Sequence, residues 1–250
     1  YYQGYLTGLK IAEELALPFP GIVDQICEIL KREKLVEVKS AQNTAMGEGG
    51  FVYGITGAGI ARAREALERS QYAGAAPVPV EIYNQAIRDQ GRERLFVKDA
   101  DLHRVCANLV LSDKIYERVG PAVNSGQSIF MYGPPGNGKT SIARAIGNLA
   151  LNETMYIPYA IYIDGQVVKL FDAVNHKIVG SDATAVPKTF TGMLRSPRRD
   201  MRWVHIHRPF VMVGGELTLA GLDLVFDDVH KYYEAPFQVK ANGGILLIDD

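Results

Sequence analysis

The chain has 250 residues, enough for one large domain or two smaller ones. Apolar residues make up 47% and charged residues 22%, which excludes a disordered or collagen-like polypeptide. Lys and Arg total 27 against 28 Asp and Glu, a net charge of −1, which excludes the broad positive field of a protein that coats nucleic acid.

The first seventy residues read as one small unit. Leu9, Ile11, Ala12 and Leu15 form a helical face after Thr7, a residue suited to the N-cap. Pro18 and Pro20 end that helix. A second helix follows, with Ile22, Val23, Ile26, Ile29 and Leu30 at helical spacing. Val36 and Val38 alternate with polar neighbours as a strand. Residues 40–50 read as a loop, and Phe51, Tyr53 and Ile55 as a returning strand. Residues 58–69 form a further helix. This order of elements, carried by LTGLKIAEELALPFPGIVDQICEILKREKLVEV and FVYGITGAGIARAREAL, resembles winged helix-turn-helix domains.

Residues 71–94 read as a linker stiffened by Pro77 and Pro79. Leu102, Val105, Cys106, Leu109 and Val110 mark an amphipathic helix. A short helix then runs from Ser112 to Gly120, closed by Pro121. The two cysteines, Cys27 and Cys106, cannot make a disulfide framework, so a reducing, cytoplasmic setting is expected. No apolar run approaches the ~18 residues of a membrane span. The chain starts at Tyr1 and stops at Asp250 just after an apolar run, so it is expected to be a piece of a longer protein.

Residues 128–132, SIFMY, have strand length. GPPGNGKT follows from Gly133 to Thr140, and then Ile142, Ala143, Ile146 and Leu149 repeat at helical spacing. Strand, glycine-rich loop and helix are the context of the phosphate-binding motif G-x-x-x-x-G-K-[ST]. Backbone N–H groups of Gly133, Pro134, Pro135, Gly136, Asn137 and Gly138 (the prolines excepted) would curl around an anion. Lys139 would set a cation beside the β and γ phosphates. Thr140 would offer a hydroxyl to Mg²⁺, and Ser141 a donor to the α phosphate.

Near the C-terminus, Ile245–Ile248 reads as a buried strand ending in Asp249 and Asp250. Asp249 is placed to hold Mg²⁺ together with Thr140, and Asp250 to orient a water. The candidate catalytic set is therefore Lys139, Asp249 and Asp250.

GPPGNGKT and ANGGILLIDD together resemble the Walker A and Walker B segments of AAA+ ATPases, over residues 95–250. The resemblance implies an α/β P-loop core with a mostly parallel sheet, ATP and Mg²⁺ as ligands, and a homo-oligomeric ring. Asp250 stands where most of the family has Glu, which suits slower hydrolysis. Lys139 and Asp249 are 110 positions apart, more than a compact core of that family needs, so inserted β-hairpins are expected at about 155–226. Asp164-Gly165 marks one hairpin turn and Gly214-Gly215 another, within a strand-rich stretch from Trp203 to Phe226.

Lys188, Arg195, Arg198, Arg199, Arg202 and Arg208 make a basic stretch, suited either to an acidic partner or to a solvated loop. His205 and His207 share a strand face, with no third metal ligand evident.

The expected activity is ATP hydrolysis coupled to remodelling a partner protein or complex. The second helix of the N-terminal unit exposes Asp24, Gln25 and Glu28, which favours a protein partner over DNA. An ATP-gated DNA-binding regulator and a nucleotide-sensing scaffold are the alternatives.

Overall fold

The computed structural model describes residues 4–41, 49–91, 97–180, 200–215 and 217–249. Strand β1 (Tyr5–Thr7) leads into α1 (Gly8–Leu15), and the Thr7 side chain accepts the Lys10 amide at 3.2 Å as the N-cap. An irregular turn over Phe19–Val23, with Gly21 at φ +88°, opens α2 (Asp24–Arg32). β2 (Val36–Ala41) and β3 (Phe51–Ile55) pair antiparallel, with β1 on the other edge of β3, before α3 (Gly57–Arg69). Ala12, Val23, Cys27 and Tyr53 form a local core beneath this three-stranded sheet.

The stretch expected to be a linker is largely built structure. β4 (Val78–Pro79) pairs parallel to β6 (Ala160–Ile163), and α4 (Val80–Gly91) follows at once. Tyr83 and Ala86 are 3% and 1% exposed, so one face of α4 is core. The prolines sit where a two-residue strand has no interior ladder to lose.

Next come α5 (Asp99–Val105) and α6 (Asp113–Ser125). α6 runs through Pro121, where it was expected to stop, and ends at Gly126 in the left-handed conformation (φ +66°). Pro121 forfeits one amide donor, and apolar packing of Tyr116, Val119 and Val123 near Leu102 and Leu149 carries the helix past it.

α7 (Lys139–Ala150) precedes β5 (Thr154–Pro158), then β6 and β7 (Gln166–Lys169). β6 and β7 form the expected hairpin. Asp164 and Gly165 both have positive φ, +46° and +84°, as a tight Asp-Gly turn requires. No hairpin forms about Gly214-Gly215 among the described residues; β8 (Trp203–His207) and β9 (Phe210–Val213) both precede that turn. β8 pairs antiparallel with β5, and β9 pairs parallel with β12 (Ile245–Ile248). Each is claimed by a partner distant in sequence, because their apolar residues Val204, Ile206, Val211 and Val213 are core.

β10 (Val225–Asp227) and β11 (Tyr232–Glu234) extend the sheet on the β7 side, and α8 (Phe237–Lys240) leads to β12. The architecture is mixed α/β. Its sheets among the described residues combine three parallel strand pairs with antiparallel ones, so the expectation of a mostly parallel sheet is corrected. No helix among the described residues is long and apolar enough to cross a membrane.

Candidate nucleotide site

The glycine-rich loop folds as a turn that delivers the chain into α7. Gly136 and Gly138 have φ of +83° and +73°, and Gly138 is the left-handed N-cap of the helix. A side chain at either position would strain the backbone, which is why glycine occupies both. The first turn of α7 therefore starts beside an exposed loop, with its amide donors directed to the loop side. The Lys139 ammonium folds back and donates to the carbonyls of Gly133 (3.0 Å) and Pro134 (2.9 Å), at the mouth of the loop.

α7 lies against β9 and β12. Ile142, Ala145, Ile146 and Leu149 are buried. Gly147 packs so tightly on the Phe210 ring that a Cβ would come within 2.3 Å of it. This close packing brings the start of α7 to the end of β12. There the Thr140 hydroxyl donates to Asp249 Oδ1 at 3.0 Å. Two residues 109 positions apart, singled out for the same metal, are thus in direct contact. Both are half-buried.

Asp249 is held by its own backbone, its amide donating to the Val213 carbonyl at 2.9 Å. Ser141 is exposed beside the loop. Asp250 lies outside the described residues, as do Lys188, Arg195, Arg198 and Arg199.

SIFMY does not form the expected strand. Residues 128–132 pair with no strand among the described residues, and Phe130 and Tyr132 are 86% and 83% exposed, their rings stacked at 6.0 Å. A groove of about 560 Å³ separates this segment from β12. Ser128, Ile129 and Met131 from this segment and Ile245, Leu246 and Leu247 from β12 are among the residues that line it. The amides of Ile245 and Asp249 point to β9, so by strand alternation those of Leu246 and Ile248 face away from it. Strand pattern without a pairing neighbour leaves SIFMY as irregular chain.

Two members of the basic stretch are pinned rather than solvated. Arg202 makes a bidentate pair with Asp200 (2.7 and 3.0 Å). Arg208, 9% exposed, donates to Glu153 (2.7 Å), to the Gly243 carbonyl (2.7 Å) and to the Gln90 carbonyl (3.1 Å). His205 stacks on Tyr156, and His207 Nδ1 donates to the Leu151 carbonyl at 2.8 Å. Among the described residues no group of three or more His, Cys, Asp and Glu side chains could hold a metal.

Sequence reasoning passed over Tyr83, Gln90 and Asn242. Asn242 donates to the Tyr83 hydroxyl at 2.9 Å, and the Gln90 amide pairs with both backbone groups of Tyr156 (3.0 and 2.6 Å). The apolar spacing of Tyr83, Ala86 and Ile87 was the available signal that this stretch is a helix.

A second polar cluster lies beneath α8. His176, 2% exposed, accepts the Asp172 amide on Nδ1 (3.0 Å) and donates from Nε2 to the Lys240 carbonyl (2.8 Å). The Lys240 ammonium reaches Asp172 at 2.9 Å.

No protein-family model matches this sequence, and no curated protein matches it.

Proposed function

We propose that this chain binds ATP with Mg²⁺ and hydrolyses it, as an AAA+-type ATPase that remodels a protein partner. The observation that carries this reading is the Thr140–Asp249 contact at 3.0 Å, at the point where the glycine-rich loop enters α7. A hydroxyl and a carboxylate side by side are hard oxygen donors, the set that Mg²⁺ prefers. Thr140 and Asp249 would hold the ion, which when bound offsets the negative charge of the phosphate oxygens.

The loop amides and the start of α7 bind the phosphates. Lys139 leaves the Gly133 and Pro134 carbonyls to reach the β and γ oxygens. Asp250 is assigned to orient a water and accept its proton as the water oxygen attacks the γ phosphorus. The bond to the β–γ bridging oxygen breaks, giving ADP and phosphate.

For the N-terminal unit, a protein partner is supported by an apolar stripe near α2. Ile22, Ile26 and Ile29 are 41%, 40% and 44% exposed at i, i+4, i+7 spacing. Ring assembly rests on the AAA+ resemblance alone.

The test combines binding and turnover. Lys139→Ala is expected to weaken ATP binding by at least about tenfold. Asp250→Asn is expected to retain binding and Asp249→Asn to retain its metal-free affinity while losing tightening by Mg²⁺, and in both phosphate release falls by about a hundredfold or more. Wild-type turnover in both carboxylate variants would refute the assigned roles.

A further inference from the structure

We propose that Tyr83 is a positioning residue for the Asp249 carboxylate, acting through Asn242 and the glycine turn that starts β12; this rests on the metal role given to Asp249 above.

β12 is four residues long and, among the described residues, pairs on one edge only, with β9. Ile245, Leu246 and Leu247 also line the groove. α7 packs on one face of this strand, and within that packing a short strand held on one edge can still tilt about its single ladder. The place of its last carboxylate then depends on how firmly its first residues are fixed.

The turn that starts the strand is tightly specified. Gly243 has φ +82°, open to glycine and strained for other residues. Gly244 lies so close to the chain at Pro209 that a Cβ would stand 2.0 Å from the Pro209 carbonyl oxygen. These contacts fix the register against β9, together with the Ile245 amide on the Pro209 carbonyl at 2.9 Å. They leave rotation about the ladder to other groups.

α4 supplies those groups at two points. Asn242 donates to the Tyr83 hydroxyl at 2.9 Å. Arg208 bridges the carbonyls of Gly243 and Gln90, at 2.7 and 3.1 Å. Tyr83 and Gln90 are seven residues apart on one helix, about 10 Å along its axis. On the turn itself the two attachments fall on the adjacent residues Asn242 and Gly243, so together they clamp the start of β12 to α4. α4 is itself fixed, by the buried faces of Tyr83 and Ala86 and by two hydrogen bonds, Gln90 Nε2 donating to the Tyr156 carbonyl and the Tyr156 amide donating to Gln90 Oε1. The A-N-G-G lead-in thereby has a physical account: Asn242 is the handle, Gly243 the bend and Gly244 the close approach.

The test uses the full chain and a fluorescent ATP analogue, mant-ATP, titrated first in EDTA and then with Mg²⁺. In the unmodified chain Mg²⁺ is expected to tighten binding. Tyr83→Phe is expected to leave the EDTA affinity within about twofold and to cut the Mg²⁺-dependent tightening by about threefold to tenfold, the worth of one hydrogen bond. Asn242→Ala, at a partly exposed turn position, is expected to do the same, and the double variant to lose no more than either single one. It also replaces Tyr83→Phe should that variant fail to fold. A lowered melting temperature with unchanged Mg²⁺ tightening in these variants would show a purely structural bond and overturn the proposal. No tightening by Mg²⁺ in the unmodified chain would overturn the metal role of Asp249 and this proposal with it. No mant-ATP binding in either buffer would overturn the nucleotide reading itself.

Discussion

Glycine does two different jobs in the segments that build the candidate site, and substitution separates them. At Gly244 the constraint is space: a Cβ would sit 2.0 Å from the Pro209 carbonyl oxygen, which belongs to the backbone and cannot swing aside. Gly244→Ala must push β12 off β9, and is expected to cost about 3 kcal/mol or more, at the upper end of overpacking effects. At Gly136 the constraint is conformational: φ is +83° and nothing lies within 4 Å of an added Cβ. Gly136→Ala is expected to cost only about 1–2 kcal/mol of backbone strain in stability. On the proposed nucleotide role, it is also expected to weaken phosphate binding to the extent that the strain is relieved by uncurling the loop. Urea denaturation of both variants, with nucleotide affinity measured alongside, checks the contrast. A Gly244→Ala protein as stable as the wild type would show that the turn before β12 is slack.

Elements show how far local pattern carries. Thr7 as a cap, the two early helices, the Asp-Gly hairpin and the ILLI strand were legible because each is decided by residues near in sequence. The irregular path of SIFMY, the strand and helix within the supposed linker and the partners of the Trp203–Val213 strands were not, since each depends on which distant segment lies alongside. β8 finds β5, β9 finds β12, and SIFMY finds no strand among the described residues. At the site, the glycine loop and Asp249 were visible as motifs, whereas Tyr83, Gln90 and Arg208 act through ordinary side chains with no spacing signature.

α8 owes its place to another such set. Burial holds the His176 imidazole below its ordinary value, against the raising effect of the Lys240 carbonyl. Burial alone would raise the Asp172 carboxyl. Hydrogen bonds from Lys240, the Val174 amide and Asn175 outweigh it and bring that group down to about 2. Both groups bind fewer protons folded than unfolded, so both stabilise the fold at high pH and lose that contribution as pH falls. The His176 contribution is complete above about pH 6.5 and declines below it. The Asp172 contribution is complete above about pH 4 and declines toward pH 2. Melting temperature is therefore expected to be flat from pH 8 to about 6.5 and to slope downward below it. His176→Gln should remove the first part of that slope. An unchanged slope between pH 6.5 and 5 in the variant would assign it elsewhere.

Over the whole molecule, charge argues against duplex DNA as the partner of the N-terminal unit. Residues 1–72 carry eight Lys and Arg against nine Asp and Glu, and the full chain is at −1. Affinity for duplex scales with the phosphates neutralised, so a balanced surface lacks the term that dominates such binding. On α2, Asp24 and Glu28 lie on the face opposite the apolar stripe, and Glu28 is paired with Lys31 at 2.5 Å. The full chain, at up to about 10 µM in 50 mM salt, is expected to leave a 30-base-pair duplex unretarded in a gel, the range where non-specific binders begin to shift. Retardation that disappears at 200 mM salt would instead place phosphate contacts on this unit. The same stripe should be dispensable for folding. Ile26 and Ile29 are already 40% and 44% exposed, so Ile26→Ser with Ile29→Ser is expected to change stability by no more than about 1 kcal/mol. A large loss would mean that these side chains serve the core of the unit rather than its surface.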